Sequence, residues 1–145
     1  MWNEIITEND IKVFMETIYG FHDSCLKEFK YVSGAYSDEK IMHVLNDKRI
    51  LKVIFQGNIG LYNAIEMDFI GLKRLNMFPI LETHTCEILD ATLILKNGCI
   101  YWCDSGGLTE DDLDDYQGTL ICASKVRWRP ADEYIGQKEV YVARE

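Results

Sequence analysis

Phe21-His22-Asp23-Ser24-Cys25 gathers an imidazole, a carboxylate, a hydroxyl and a thiol within one short stretch. An imidazole oriented by a carboxylate serves as a general base, and a hydroxyl or thiol within its reach becomes a nucleophile. His22 and Asp23 are therefore the catalytic candidates, with Ser24 or Cys25 as the group they would activate. Adjacent side chains on extended backbone point apart, however. The same residues suit a turn in which Asp23 and Ser24 bond the backbone while His22 packs against or caps a helix end. Local geometry favours the turn.

A metal site would have to be assembled from His22, His43, His84, Cys86, Cys99 and Cys103. Cys99 and Cys103 share a strand face, but their separation is roughly 13 Å at the usual strand rise. That is too far for both to reach one zinc at about 2.3 Å. Cys86 falls roughly 20 Å along the strand from the partner of Cys103. His84 and Cys86 together supply too few ligands, so neither a metal nor a cofactor is expected. Cys122 reads as a small buried hydrophobe.

Between Cys103 and Gly118 stand Asp104, Glu110, Asp111, Asp112, Asp114 and Asp115, with no basic residue among them. The formal net charge is −9, from 24 acidic and 15 basic residues; without these six acids, 18 stand against 15. The negative excess is thus mainly one local block. Such a block supplies hard oxygen ligands for calcium, but the alternating pattern of an EF-hand loop is missing. It is also the chemistry with which a protein meets a basic partner surface. The plain alternative is a solvated loop, folded against the basic strip Lys125, Arg127 and Arg129. An overall acidic chain does not suit nucleic acid or an anionic membrane, both of which bind through Lys and Arg.

No P-loop, dinucleotide fingerprint, GxSxG elbow or HExxH occurs. The 145 residues are one domain's length, spanning 1–145, with enough apolar residues for a core that needs no staples. The longest apolar runs fall far short of the roughly 20 residues that cross a bilayer. Met1-Trp2-Asn3-Glu4 shows neither a basic n-region nor an apolar h-region. The five cysteines, an odd number without CxxC spacing, fit reduced thiols. A cytoplasmic location is expected.

The elements that must carry these residues are partly legible. Thr7 and Asp10 have capping-box spacing, Ile6 and Ile11 that of a hydrophobic staple. Ile11, Phe14, Met15 and Ile18 follow the helical period, and Gly20 stops it so that Phe21 folds back. A helix over about 7–19 follows. Strands are expected over 25–32 and 49–56, with a short edge strand over 41–45. In the next strand, Ile65, Met67 and Phe69 face the core while Glu66 and Asp68 face out, and Gly71 bulges it. Asn97-Gly98 calls for a type I′ hairpin. Its register puts Leu89, Ala91, Leu93, Leu95, Ile100 and Trp102 on the core face, with Ile94, Tyr101 and Cys103 on the other. Thr109 and Asp112 could cap a very short helix. The strand over 119–129 then presents Leu120, Cys122, Val126 and Trp128 on one face, and the tail over 138–143 could add a last strand. The class is α+β: an N-terminal helix packed on a mainly antiparallel sheet of about 6–7 strands, single layer or partly curled, over about 24–143.

A short N-terminal helix, then Gly20-Phe21-His22-Asp23-Ser24-Cys25, then β-rich sequence resembles small uncharacterised bacterial proteins. Some of these look like immunity proteins associated with polymorphic toxins. The resemblance implies a non-enzymatic intracellular binding protein that neutralises a partner, and it brings no catalytic role for the motif. Asp104, Glu110, Asp111, Asp112, Asp114 and Asp115 are then the partner-binding candidates, toward a basic protein. The competing reading is a small enzyme or metal-binding protein using His22 and Asp23. Self-association is a third, through 49–56 or 119–129 as an edge strand.

Overall fold

Thr7 Oγ1 accepts from the Asp10 amide at 3.1 Å, and Asp10 Oδ2 accepts from the Thr7 and Ile6 amides at 2.9 Å. This is the capping box the spacing predicts. The backbone bonds from Thr7 and Ile6 hold the Asp10 carboxyl below its usual range. In the computed structural model, which describes residues 1–142, the cap is preceded by β1 (Asn3–Ile5) and followed by α1 (Glu8–Thr17). Ile5 enters the core while Ile6 stays exposed, so the expected staple residue faces outward. The reason is that β1 runs up to the cap and its alternation buries Ile5.

After α1 the chain turns left-handed: Tyr19, Gly20 and Phe21 have φ of 53°, 62° and 68°. Gly20 adopts this freely, whereas a non-glycine residue there costs roughly 1–2 kcal/mol. Burial of Phe21 offsets that strain. Its ring has no solvent exposure and lies 4.8 Å from Phe55, 5.7 Å from Trp102 and 5.8 Å from Phe14.

The remaining strands are β2 (Ser24–Val32), β3 (Tyr36–Ser37), β4 (Met42–His43), β5 (Ile50–Ile59), β6 (Tyr62–Asn76), β7 (Thr92–Lys96), β8 (Cys99–Cys103) and β9 (Leu120–Pro130). All but β3 and β4 form, with β1, an antiparallel seven-stranded sheet in the order β2-β5-β6-β9-β8-β7, β1 pairing with β9. The sheet does not close into a barrel, and α1 packs on one face. One edge of β9 pairs with β6. Its other edge is divided: residues 120–123 pair with β8 and 126–128 with β1, leaving Ser124 and Lys125 opposite neither. Among the described residues, no helix is long and apolar enough to cross a membrane.

Turn chemistry fixes the β7–β8 hairpin as read: Asn97 and Gly98 have φ of 52° and 73°, and Lys96 to Thr92 oppose Cys99 to Cys103 in order. Leu89 departs from the expected face, because the strand begins only at Thr92 and Leu89 sits exposed in the preceding loop. Residues 41–45 do not edge the main sheet. Met42–His43 pairs with Tyr36–Ser37 in a detached hairpin, where the short loop returns on itself before reaching β5. The proposed self-association strands are also corrected, since β5 and β9 each pair on both sides and the edge strands are β2, β7 and the short β1. Residues 138–142 form no strand, and Ala143 lies outside the described residues.

Two apolar clusters hold the sheet. The main core joins Phe14, Ile18 and Phe21 to the inward residues of β5, β6, β8 and β9. A smaller one, on the opposite face, joins Cys99, Cys103, Leu120 and Cys122 to Leu113. The phase of β9 slips between them: Ile121 and Ala123 face the main core with Val126 and Trp128, while Leu120 and Cys122 face the other way. The expectation of Leu120 and Cys122 beside Val126 and Trp128 therefore fails. Gly71, with φ of 68°, lies on β6 opposite the slip. Phe21→Ala should lower stability by about 3–5 kcal/mol in urea unfolding; a loss below about 1 kcal/mol would show that Phe21 does not anchor the junction.

Candidate functional site

The His22–Asp23 junction is built by backbone bonding to the loop before β7. The Asp23 amide donates to the Ile88 carbonyl at 3.1 Å, the Ile88 amide to the Ser24 carbonyl at 2.6 Å, and the Ala91 amide to the Gly20 carbonyl at 3.0 Å. Ser24 Oγ donates to the Phe21 carbonyl at 2.6 Å and is buried. His22 Nδ1 donates to the Leu89 carbonyl at 2.6 Å, with Nε2 3.4 Å from Asp23 Oδ1. The Leu89 carbonyl, then the charges of Asp23, Glu87 and Asp90, raise the His22 pKa. Burial, then the neighbouring Cys86, raises that of Cys25, the wrong direction for an activated thiolate. The structure does bring His22 and Asp23 together, at an exposed surface. Their hydroxyl neighbour is committed to backbone. Among the described residues, no group of three His, Cys, Asp or Glu side chains is arranged to hold a metal ion.

The acidic block is a loop laid over the smaller apolar cluster. Leu113 is its anchor, without solvent exposure, and Arg74 reaches the Leu113 carbonyl at 3.5 Å. Thr109 and Asp112 cap a single 3-10 turn, Glu110–Asp112, through Asp112 Oδ2 at 2.8 Å from the Thr109 amide. Tyr116 donates its hydroxyl to Asp104, and burial, then Asp104, pushes the Tyr116 pKa up. Asp104 and Asp112 are thus used in holding the loop. Glu110, Asp111, Asp114 and Asp115 remain exposed, and among the described residues their carboxylates enter no hydrogen bond or ion pair. Lys96 Nζ donates to the Glu110 carbonyl at 3.4 Å, so the cations that touch the loop bond its backbone and leave these carboxylates unpaired.

The basic strip does not neutralise it. Arg127 donates from Nε and Nη2 to Asp68 Oδ2 at 3.1 and 2.9 Å, and Arg129 Nε to Glu66 Oε2 at 2.9 Å. Lys52 lies 3.2 Å from Asp68 and 3.7 Å from Glu66. Glu66 and Asp68 are fully buried, contrary to the outward, solvated face that their alternation suggests. The outer face of the sheet is covered here: the Trp2 ring sits 4.0 Å from the Arg127 guanidinium and 4.2 Å from that of Arg129. Tyr141 adds a contact, accepting from Arg129 Nη2 at 3.3 Å. Burial disfavours the charge of Arg129, yet Glu66 outweighs it and raises the pKa. Burial, then Glu66, also raises the pKa of Tyr141. This lattice escapes the sequence reading, although the matched spacing of Glu66/Asp68 and Arg127/Arg129 is its signal.

Asp68→Ala leaves Lys52 and Arg127 facing each other across an empty site. The expected loss is about 3 kcal/mol, the lower end for a buried pair, because both cations are about a third exposed and regain water. Urea unfolding of Asp68→Ala beside Glu110→Ala measures it; the latter should stay within about 0.5 kcal/mol of the parent. His22 acts through pH. Its pKa is raised on folding, so its stabilisation is complete below the unfolded value and lost as pH rises through the folded value. The gap in urea midpoint between the parent and His22→Ala should be wider at about pH 5.5 than at about pH 8.5, and equal gaps would show no linkage.

Comparisons with protein-family models, with curated proteins and with solved structures find no match to this chain.

Proposed function

We propose that this chain is a small binding protein whose acidic loop docks on a basic surface of a partner protein, in the manner of an immunity-type inhibitor that neutralises its target. The observation that carries the reading is the set of exposed, unpaired carboxylates of Glu110, Asp111, Asp114 and Asp115 on a loop pinned by the buried Leu113. A pinned loop loses little conformational entropy on association. Its charge accelerates encounter with a cationic surface and fixes orientation. Arg127 and Arg129 are turned to Asp68 and Glu66, and the two cations that reach the loop among the described residues, Lys96 and Arg74, meet the Glu110 and Leu113 carbonyls rather than its carboxylates. A bacterial cytoplasm suits the reading, and the five free thiols are in keeping with a reducing compartment.

The test is a pull-down from host lysate at low and high salt, with the retained proteins identified. A basic partner should be held at low salt and weakened at high salt, because exposed charges are screened. The Asp111→Lys, Asp114→Lys double variant should lose it. Undiminished capture by that variant would refute the acidic loop as the contact.

A further inference from the structure

The gap in the edge of β9 opens into a cleft of about 440 Å³. It exists because β8 leaves β9 after residue 123 and β1 joins only at 126, so Ser124 and Lys125 have no strand opposite on that side. Its walls include Ile5, Ile6, Leu95, Ile100 and Val126. Ile5, Ile100 and Val126 belong to the main core, so the inner end of the cleft is continuous with it. Glu4, Lys125 and Arg127 are the charged residues of its lining. The volume falls within the range of small-molecule sites, about 300–1,000 Å³, and an apolar wall with a few polar groups is their usual lining.

Charge selects the occupant. Arg127 is bound to Asp68 and lies opposite Glu4 in the β1–β9 register. Lys125 is exposed and, among the described residues, enters no ion pair. The lining thus holds two cations and one carboxylate, Glu4 standing opposite Arg127, and Lys125 is the cation without an ion pair. We propose that the cleft binds an aliphatic monocarboxylate, its chain against Ile5, Leu95 and Ile100 and its carboxylate at Lys125. Such a ligand continues the core's burial with its chain and meets the unpaired cation with its head.

Octanoate and 1-octanol, which share a chain and differ in charge, are the probes. Titration of each into the parent, followed by amide NMR shifts, should give saturable changes at Ile5, Leu95, Ile100 and Val126. Octanol should bind about three- to five-fold more weakly, the scale of one exposed ion pair. Lys125→Met should bring octanoate down to the level of octanol, and Leu95→Trp, which fills the cleft, should abolish both. Lys125 is exposed, so its variant keeps the fold and decides the matter even where Leu95→Trp fails to fold. Absence of saturable shifts at these residues, equal binding of the two probes, or undiminished octanoate binding by Lys125→Met would each overturn the proposal.

Discussion

Asp68 is fully enclosed in the middle of the sheet, and everything laid across the outer face follows from what encloses it. Lys52, Asp68 and Arg127 are consecutive partners across β5, β6 and β9, and Glu66 stands opposite Arg129 in the next outward row. A slip of one residue would turn both carboxylates into the main core and turn Met67 and Phe69 out of it. The ion pairs thus act on register more than on net stability, since desolvating such charges costs much of what their attraction returns. Trp2 completes the arrangement. Carried by the pairing of β1 to β9, its ring shields both guanidiniums from water and offers them a π face.

That enclosure divides the molecule electrostatically. Basic residues that chain proximity would assign to the acidic loop are instead drawn across the sheet to β6, because two buried carboxylates without cations would be far costlier than four exposed ones in water. The carboxylates of the acidic loop stay unpaired, since Lys96 and Arg74 meet its backbone carbonyls. Its shape is maintained by other means: Leu113 in the smaller apolar cluster, the Thr109–Asp112 cap and the Tyr116–Asp104 bond. The same division explains the cleft, where the slip in β9 leaves Lys125 outside the lattice that engages its neighbours.

Local interactions are what the sequence makes readable. The Thr7–Asp10 box, the Asn97-Gly98 hairpin with its full register and the left-handed Gly20 each depend on a few adjacent residues, and each is found where its residue types place it. Glu66 and Asp68 are a different case. Period-two alternation reports that two faces differ, but it does not distinguish water from a covering layer of opposite charge. Their partners lie 59 and 63 residues downstream, and Trp2 comes from the other end of the chain. The slip in β9 is hidden for a related reason. All of residues 120–123 are buried, because α1 lies over one face and the acidic loop over the other. The acidic block is visible as composition, whereas the engagement of Arg127 and Arg129 away from it depends on those long-range pairings.

The Phe21-to-Ser24 motif shows how residues suited to chemistry also serve architecture. The chain must pass from α1 on one face of the sheet to β2 at its edge within a few residues, and it does so by a left-handed turn. Phe21 offsets the turn's strain through burial among Phe14, Phe55 and Trp102. Ser24 satisfies the Phe21 carbonyl, Asp23 engages Ile88 through its amide, and His22 reaches Leu89. Each residue type meets a need of the turn: a buried anchor, a short hydroxyl, a residue tolerant of positive φ and a donor that spans the gap. The junction ties the edge of β2 to the loop leading into β7, at the far end of the strand order. It thereby draws the two ends of the sheet toward each other over the aromatic core, without closing them into a barrel.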